Sequence, residues 1–209
     1  MMNSSEDSNA PVLNEHYIQQ CFHSDQLFDQ LYPLSLQRLS ARHWTPLEVA
    51  AKASRFLADR QGARILDIGS GAGKFCLSAA YFQPSAGFWG IEQRQHLLHH
   101  ADTVRQYLGI SNARFLHGNF TQLRFAEYDH FYFYNSFYEN LAGTDKIDES
   151  MEYSAGLYFY YTRYLYRQLE KMPAGTRIAT FHSLEDEIPP DYVVVGTEMD
   201  SLLKFWIRL

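Results

Sequence analysis

Cysteine is scarce in this 209-residue chain: only Cys21 and Cys76 occur, in contexts that share no metal or redox spacing. That points to buried or inert thiols in a reducing compartment. Long apolar runs are missing as well. No stretch reaches the ~18 uninterrupted apolar residues of a membrane helix, and the nearest, 156–166, is interrupted by Arg163 and dominated by tyrosine. Basic charge is in deficit. With 18 Lys and Arg against 24 Asp and Glu, the net charge of −6 argues against whole-surface attraction to nucleic acid or acidic membranes, though not against a local basic face. The first ten residues are polar and acidic, without the basic and apolar regions of a signal peptide. A cytoplasmic protein of one ordinary-sized domain is the expectation, with no membrane partner.

Aromatic residues are plentiful at 16%, with 15 Tyr and 15 Phe. Residues 1–13 are rich in Ser and Asn and read as a disordered tail. From Glu15 to Leu39, apolar residues at helical spacing (Tyr17, Ile18, Cys21, Phe22, then Leu27, Phe28, Leu31) predict two short helices broken near Pro33. Residues 14–44 are thus a helical extension, able to close over a site as a lid. Thr45 is expected to cap a helix with Pro46 at its first position, running to Asp59. Beyond it, strands leading into Gly69 and at 87–91, 113–116, 129–134 and 176–181 alternate with helices at 74–81, 94–108 and 149–171. Residues 192–195 and 202–207 read as a terminal hairpin. Such alternation predicts an α/β fold with a parallel sheet and helices on both faces.

The most informative segment is Ile65–Phe75, Ile-Leu-Asp-Ile-Gly-Ser-Gly-Ala-Gly-Lys-Phe. An acid, Asp67, precedes Gly69, Gly71 and Gly73 at a strand-to-helix turn, where glycine permits positive φ and close ligand approach. A dinucleotide fingerprint fails, because its third glycine would fall on Lys74; a P-loop fails, because three residues separate Gly69 from Gly73 and Phe75 follows the lysine. A tight turn that holds no ligand is the plain alternative. The acid-x-Gly-x-Gly-x-Gly pattern resembles the first motif of class I S-adenosylmethionine-dependent methyltransferases. The resemblance spans residues 45–209 and implies a Rossmann-like, mostly parallel seven-stranded sheet whose last strand is antiparallel.

It also implies S-adenosylmethionine as the cofactor, with Asp67, Gly69, Ser70, Gly71 and Gly73 around it. Glu92 lies 25 residues after Asp67 at the end of the second strand, where a carboxylate accepts both ribose hydroxyls; otherwise it is a solvated surface residue. Asn119 and Phe120 follow the third strand, where the family holds the adenine amino group and stacks on the ring; an ordinary turn asparagine is the other reading. The fourth strand ends in Asn135-Ser136-Phe137-Tyr138. Amino-group methyltransferases resemble this with Asn or Asp, two prolines and an aromatic, and here Ser136 and Phe137 replace both prolines. The segment equally resembles the Asn-x-Phe of the non-SET lysine methyltransferases. Both place Asn135 and Tyr138 at the acceptor, a protein side chain or a nucleobase.

His96, His99 and His100 share a helix face that can present to a metal, but no carboxylate or cysteine cluster completes a site, and exposed helix residues are the expectation. Residues 34–64 carry six basic residues (Arg38, Arg42, Lys52, Arg55, Arg60, Arg64) against Glu48 and Asp59, a basic segment beside an acidic body. The function expected is methyl transfer to nitrogen. A non-catalytic scaffold on this fold is a second possibility. Aminopropyl transfer is a third, although Asn135-Ser136 supplies no acidic pair for a polyamine.

Overall fold

The computed structural model describes residues 15–209, so the expected tail at 1–13 lies outside the described residues. One seven-stranded sheet organises the chain. Strands β1 (Arg64–Ile68), β2 (Gly87–Glu92), β3 (Ala113–His117), β4 (His130–Tyr134) and β5 (Arg177–Phe181) are parallel. They are followed by β6 (Tyr192–Glu198) and β7 (Leu203–Arg208), with β7 antiparallel to both β5 and β6. The order is β3-β2-β1-β4-β5-β7-β6, so the connections change direction between β1 and β4. A crevice opens outside the carboxyl ends of the strands at such a point.

Strand alternation explains the two cores. Phe131 and Phe133 of β4 pack into one, with Leu66, Ile68, Leu165 and Leu169; Tyr132 faces the other, with Leu47, Leu57, Phe75 and Phe88. Successive side chains on a strand point to opposite faces. The Tyr132 ring stacks on Phe75 at 3.7 Å between centroids. Each fully buried side chain of this size contributes roughly 1.5–3 kcal/mol.

The N-terminal extension forms four short helices rather than the two expected: α1 (Glu15–Cys21), α2 (Asp25–Asp29), α3 (Leu34–Gln37) and α4 (Ser40–His43). Isolated helices this short are marginal in water, so docking holds them. Phe22 stacks on Tyr81 at 3.9 Å, and the Tyr32 hydroxyl donates to the Ala72 carbonyl at 2.8 Å. Lys74, only 4% exposed, pairs with Asp25 at 2.6 Å and Asp29 at 2.7 Å. The extension is thereby fastened to the segment that follows β1.

Helices α5 (Leu47–Leu57), α6 (Lys74–Phe82), α7 (Gln95–Tyr107) and α8 (Ala155–Leu169) complete the layers. Two boundaries correct the sequence-based expectation. Thr45 does not cap α5: its hydroxyl pairs with the Tyr132 hydroxyl at 2.9 Å, Pro46 occupies the capping position, and the Leu47 amide donates to Asp25 at 2.9 Å. A tertiary partner replaces the local one. The last long helix starts at Ala155, not 149, because Ser154 caps it by accepting from the Leu157 amide at 3.1 Å. Among the described residues no helix is long and apolar enough to cross a membrane.

Candidate active site

After β1 the chain turns through Gly69, Gly71 and Gly73 with φ of 78°, 54° and 83°. The Gly69 and Ser70 amides both donate to the Ile91 carbonyl at 3.0 Å, tying the loop across the end of β2. A Cβ on Gly69 would lie 2.6 Å from that of Ser136, whose hydroxyl donates to the Ile68 carbonyl. Only glycine lets the loop and the end of β4 meet this closely. Nothing lies within 4 Å of where Gly71 would carry a Cβ.

Glu92 is buried beneath this loop. Its carboxylate accepts from the amides of Gly71 at 3.1 Å, Gln93 at 2.9 Å and Arg94 at 2.9 Å, and from Arg94 Nη1 at 3.3 Å. All but the Gly71 bond fall on Oε1, so Oε2 keeps accepting capacity. The sequence around Arg94 carries no motif that marks it. Its Nη2 donates to Glu139 at 2.6 Å and to the Tyr153 hydroxyl at 2.9 Å, and its Nε to Asp148 at 3.4 Å. Burial works against the guanidinium charge, but Glu139 and Glu92 outweigh it and hold the group more firmly protonated than usual. One buried cation thus clamps the 138–153 segment over the crevice. Its partners lie up to 59 residues away, so no local pattern announces it.

The crevice has a volume of about 620 Å³, within the ~300–1,000 Å³ usual for small-ligand sites. Gly69, Glu92, Gln93, Gly118, Phe120 and Tyr161 line it, together with His43, Tyr134, Asn135, Tyr138 and His182. Of the residues expected at the site, Gly69, Glu92, Phe120, Asn135 and Tyr138 meet here, whereas Asp67, Ser70, Gly71, Gly73 and Asn119 are not in its walls. Asp67 sits behind the loop, where it accepts from the Cys76 thiol at 3.6 Å. Burial pushes its carboxyl up to about 8, with Cys76 opposing and the Glu92 charge adding. Gly73 takes the capping position of α6. Phe120 is 5% exposed, with its ring stacked on Phe137 at 5.1 Å.

Asn135 leaves β4 with φ of 44°, and its carbonyl accepts from the Tyr138 amide at 3.0 Å. His182 leaves β5 with φ of 53°. Tyr134 and Phe181 are register partners, so two adjacent strands end in left-handed non-glycine residues side by side. Strain of this kind concentrates at functional sites. Burial lowers the pKa of both His43 and His182, which keeps these imidazoles neutral at pH 7. Three of the six basic residues of 34–64 are paired with acids: Arg42 with Asp145, Lys52 with Glu48 and Glu198, and Arg60 with Asp59 and Asp129. Among the described residues, no group of three or more His, Cys, Asp or Glu is arranged to hold a metal; His96 pairs with Asp148 at 3.4 Å.

Residues 59–145 match the family described as a methyltransferase domain. A tRNA (guanine-N(7)-)-methyltransferase of Synechococcus sp. (strain JA-3-3Ab) is 48% identical over 54 residues, covering 26% of this chain and 23% of that one. The corresponding protein of Microcystis aeruginosa (strain NIES-843 / IAM M-2473) is 48% identical over 54 residues, 26% of each chain. The chain thus spans about a quarter of the length of these curated relatives. Among solved structures, TrmN from Thermus thermophilus superposes with a TM-score of 0.56 at 20% identity, over 85% of this chain and 54% of its own. An RNA methyltransferase from Salinibacter ruber in complex with S-adenosyl-L-homocysteine gives 0.53 at 17% identity, over 78% and 90%. The matched methyltransferase domain and the seven-stranded sheet give the chain the fold of the class I S-adenosylmethionine-dependent methyltransferases.

Proposed function

We propose that the crevice binds S-adenosylmethionine and that the chain transfers its methyl group to a nitrogen of a nucleobase. The observation that carries this reading is the convergence of Gly69 of the glycine loop, Glu92 and Asn135 on one crevice at the turn-over point of the sheet. The residues fit the cofactor. The space at Gly71 is open, and Glu92 Oε2 can accept a ribose hydroxyl. The matches to tRNA (guanine-N(7)-)-methyltransferases favour a nucleobase over a protein side chain.

The cofactor supplies a methyl group on a sulfonium, already activated for displacement. The chain's task is alignment and exclusion of water. Glu92 anchors the ribose and, through the Gly71 amide, the loop itself. At the other end Tyr138, 40% exposed, offers a ring to stack on a planar acceptor, and the Asn135 carboxamide orients it. Where the acceptor nitrogen carries a hydrogen, neutral His43 and His182 are the proton acceptors at that end. Arg94 closes the 138–153 segment and limits the entry of water.

The test supplies the protein with methyl-tritiated S-adenosylmethionine and, in parallel, unfractionated tRNA or core histones. Label should enter the tRNA. It should fall by roughly a hundredfold in Asn135→Ala, the cost of an acceptor misplaced by about 1 Å, with S-adenosylhomocysteine affinity nearly intact. Label in histones alone would replace the nucleobase with lysine.

A further inference from the structure

Asn119 occupies the position from which the family is expected to hold the adenine amino group, yet its side chain faces elsewhere. Its Oδ1 accepts from the Thr121 amide at 3.0 Å, capping the turn at Phe120–Gln122. A backbone N–H can only donate, so this bond fixes which way the carboxamide points. Nδ2 is left to donate to Gln93 Oε1 at 3.0 Å and to the Tyr161 hydroxyl at 2.9 Å. Gln93 and Tyr161 line the crevice; Asn119 does not.

These bonds decide what the two wall residues can offer. Gln93 spends its carbonyl on Asn119, so its NH2 is the group that remains. The Tyr161 oxygen already accepts, and among the described residues its own hydrogen has no acceptor. Asn119 therefore turns a glutamine and a tyrosine into a pair of hydrogen-bond donors. Tyr161 is held in place by Phe120 and Phe137, with ring centroids at 5.5 and 5.6 Å. Gln93 is held from its backbone as well, its amide donating to Glu92 and its carbonyl bonding the His117 ring. Both donors stand on the Glu92 side of the crevice, where the adenosyl group belongs.

We infer that Gln93 and Tyr161 recognise the adenine ring by donating to its ring nitrogens, with Asn119 acting behind them as a positioning residue. This rests on the cofactor reading given above. The adenine ring nitrogens N1, N3 and N7 are acceptors without hydrogens, the complement of two outward donors. The exocyclic amino group, itself a donor, is not.

The experiment measures calorimetric affinities for S-adenosylhomocysteine and its 1-deaza, 3-deaza and 7-deaza analogues, in each of which a C–H replaces one ring nitrogen. Wild-type protein should bind at least one analogue roughly tenfold more weakly than the parent compound, the size expected when a buried donor loses its acceptor. Tyr161→Phe keeps the ring packing and Gln93→Leu keeps the length. At least one of the two should bind the parent compound roughly tenfold more weakly and no longer distinguish it from the disfavoured analogue. A purely structural role would weaken all four ligands alike and leave their ratio unchanged. Melting of the unliganded variants shows whether they fold. If the parent compound fails to bind wild-type protein, the cofactor reading itself falls. If it binds and no analogue is penalised, or the penalty persists in both variants, the donor pair is wrong.

Discussion

Replacing Lys74 with methionine tests how the extension is held. The side chain is 4% exposed and lies over the rings of Phe28, at 5.4 Å, and Trp44, at 5.8 Å. Methionine retains the length and most of this packing, so the change removes mainly charge. Asp29, whose side chain is 13% exposed, then keeps a buried carboxylate without its cation. Asp25 matters less, because it is 48% exposed and also accepts from the Leu47 amide. Breaking a buried pair by removing one partner costs about 3–5 kcal/mol, and the half-exposed Asp25 puts Lys74→Met near 3. For a chain of this size that corresponds to a melting temperature lower by roughly 6–12 °C. Urea unfolding followed by circular dichroism gives the free energy directly. Adding Asp29→Asn should recover more than half of the loss. A cost below about 1 kcal/mol, or a double variant no better than the single one, would mean that the Lys74 pair does not hold the extension.

Asp67 makes stability depend on pH. Its folded carboxyl titrates at about 8 against 3.8 for the ordinary group, so the protonated form's stabilisation is complete below the unfolded value and is lost as pH rises toward 8. Asp67→Asn should therefore gain on wild type steadily from pH 5 to pH 8 in urea unfolding; parallel curves would mean that the Asp67 carboxyl titrates alike in the folded and unfolded chain. Asn135→Gly should be at least as stable as wild type, because φ of 44° favours glycine, whereas Asn135→Ala should lose about 1 kcal/mol. Equal stability of the two variants would mean that the position is unstrained.

Much of the architecture was legible because alternation and periodicity are local signals. Phe131, Tyr132, Phe133 and Tyr134 announce a strand buried on both faces, and the three glycines announce the turn that reaches the crevice. What escaped depends on partners distant in sequence. Thr45 looks like a helix cap until Tyr132, 87 residues away, takes its hydroxyl. Lys74 is next to the motif but answers to Asp25 and Asp29. Glu92 and Asn135 were placed from their strand ends. No local pattern marks the neighbouring Arg94 and Gln93, because their roles arise only when the 138–153 segment and α8 fold back against β2. His182 is unmarked for the same reason: its significance is its register beside Asn135.

Ligand binding to wild type and Gly71→Arg decides whether the glycine crevice is an adenosylmethionine site. Calorimetry with S-adenosylhomocysteine should show one site on wild-type protein and a raised melting temperature, while NAD does neither. Gly71→Arg places a long side chain in the open space beside the Glu92 carboxylate and should abolish S-adenosylhomocysteine binding in a chain that still unfolds cooperatively. Stabilisation by NAD with none by S-adenosylhomocysteine, or unchanged binding by Gly71→Arg, would mean that the crevice is not an adenosylmethionine site.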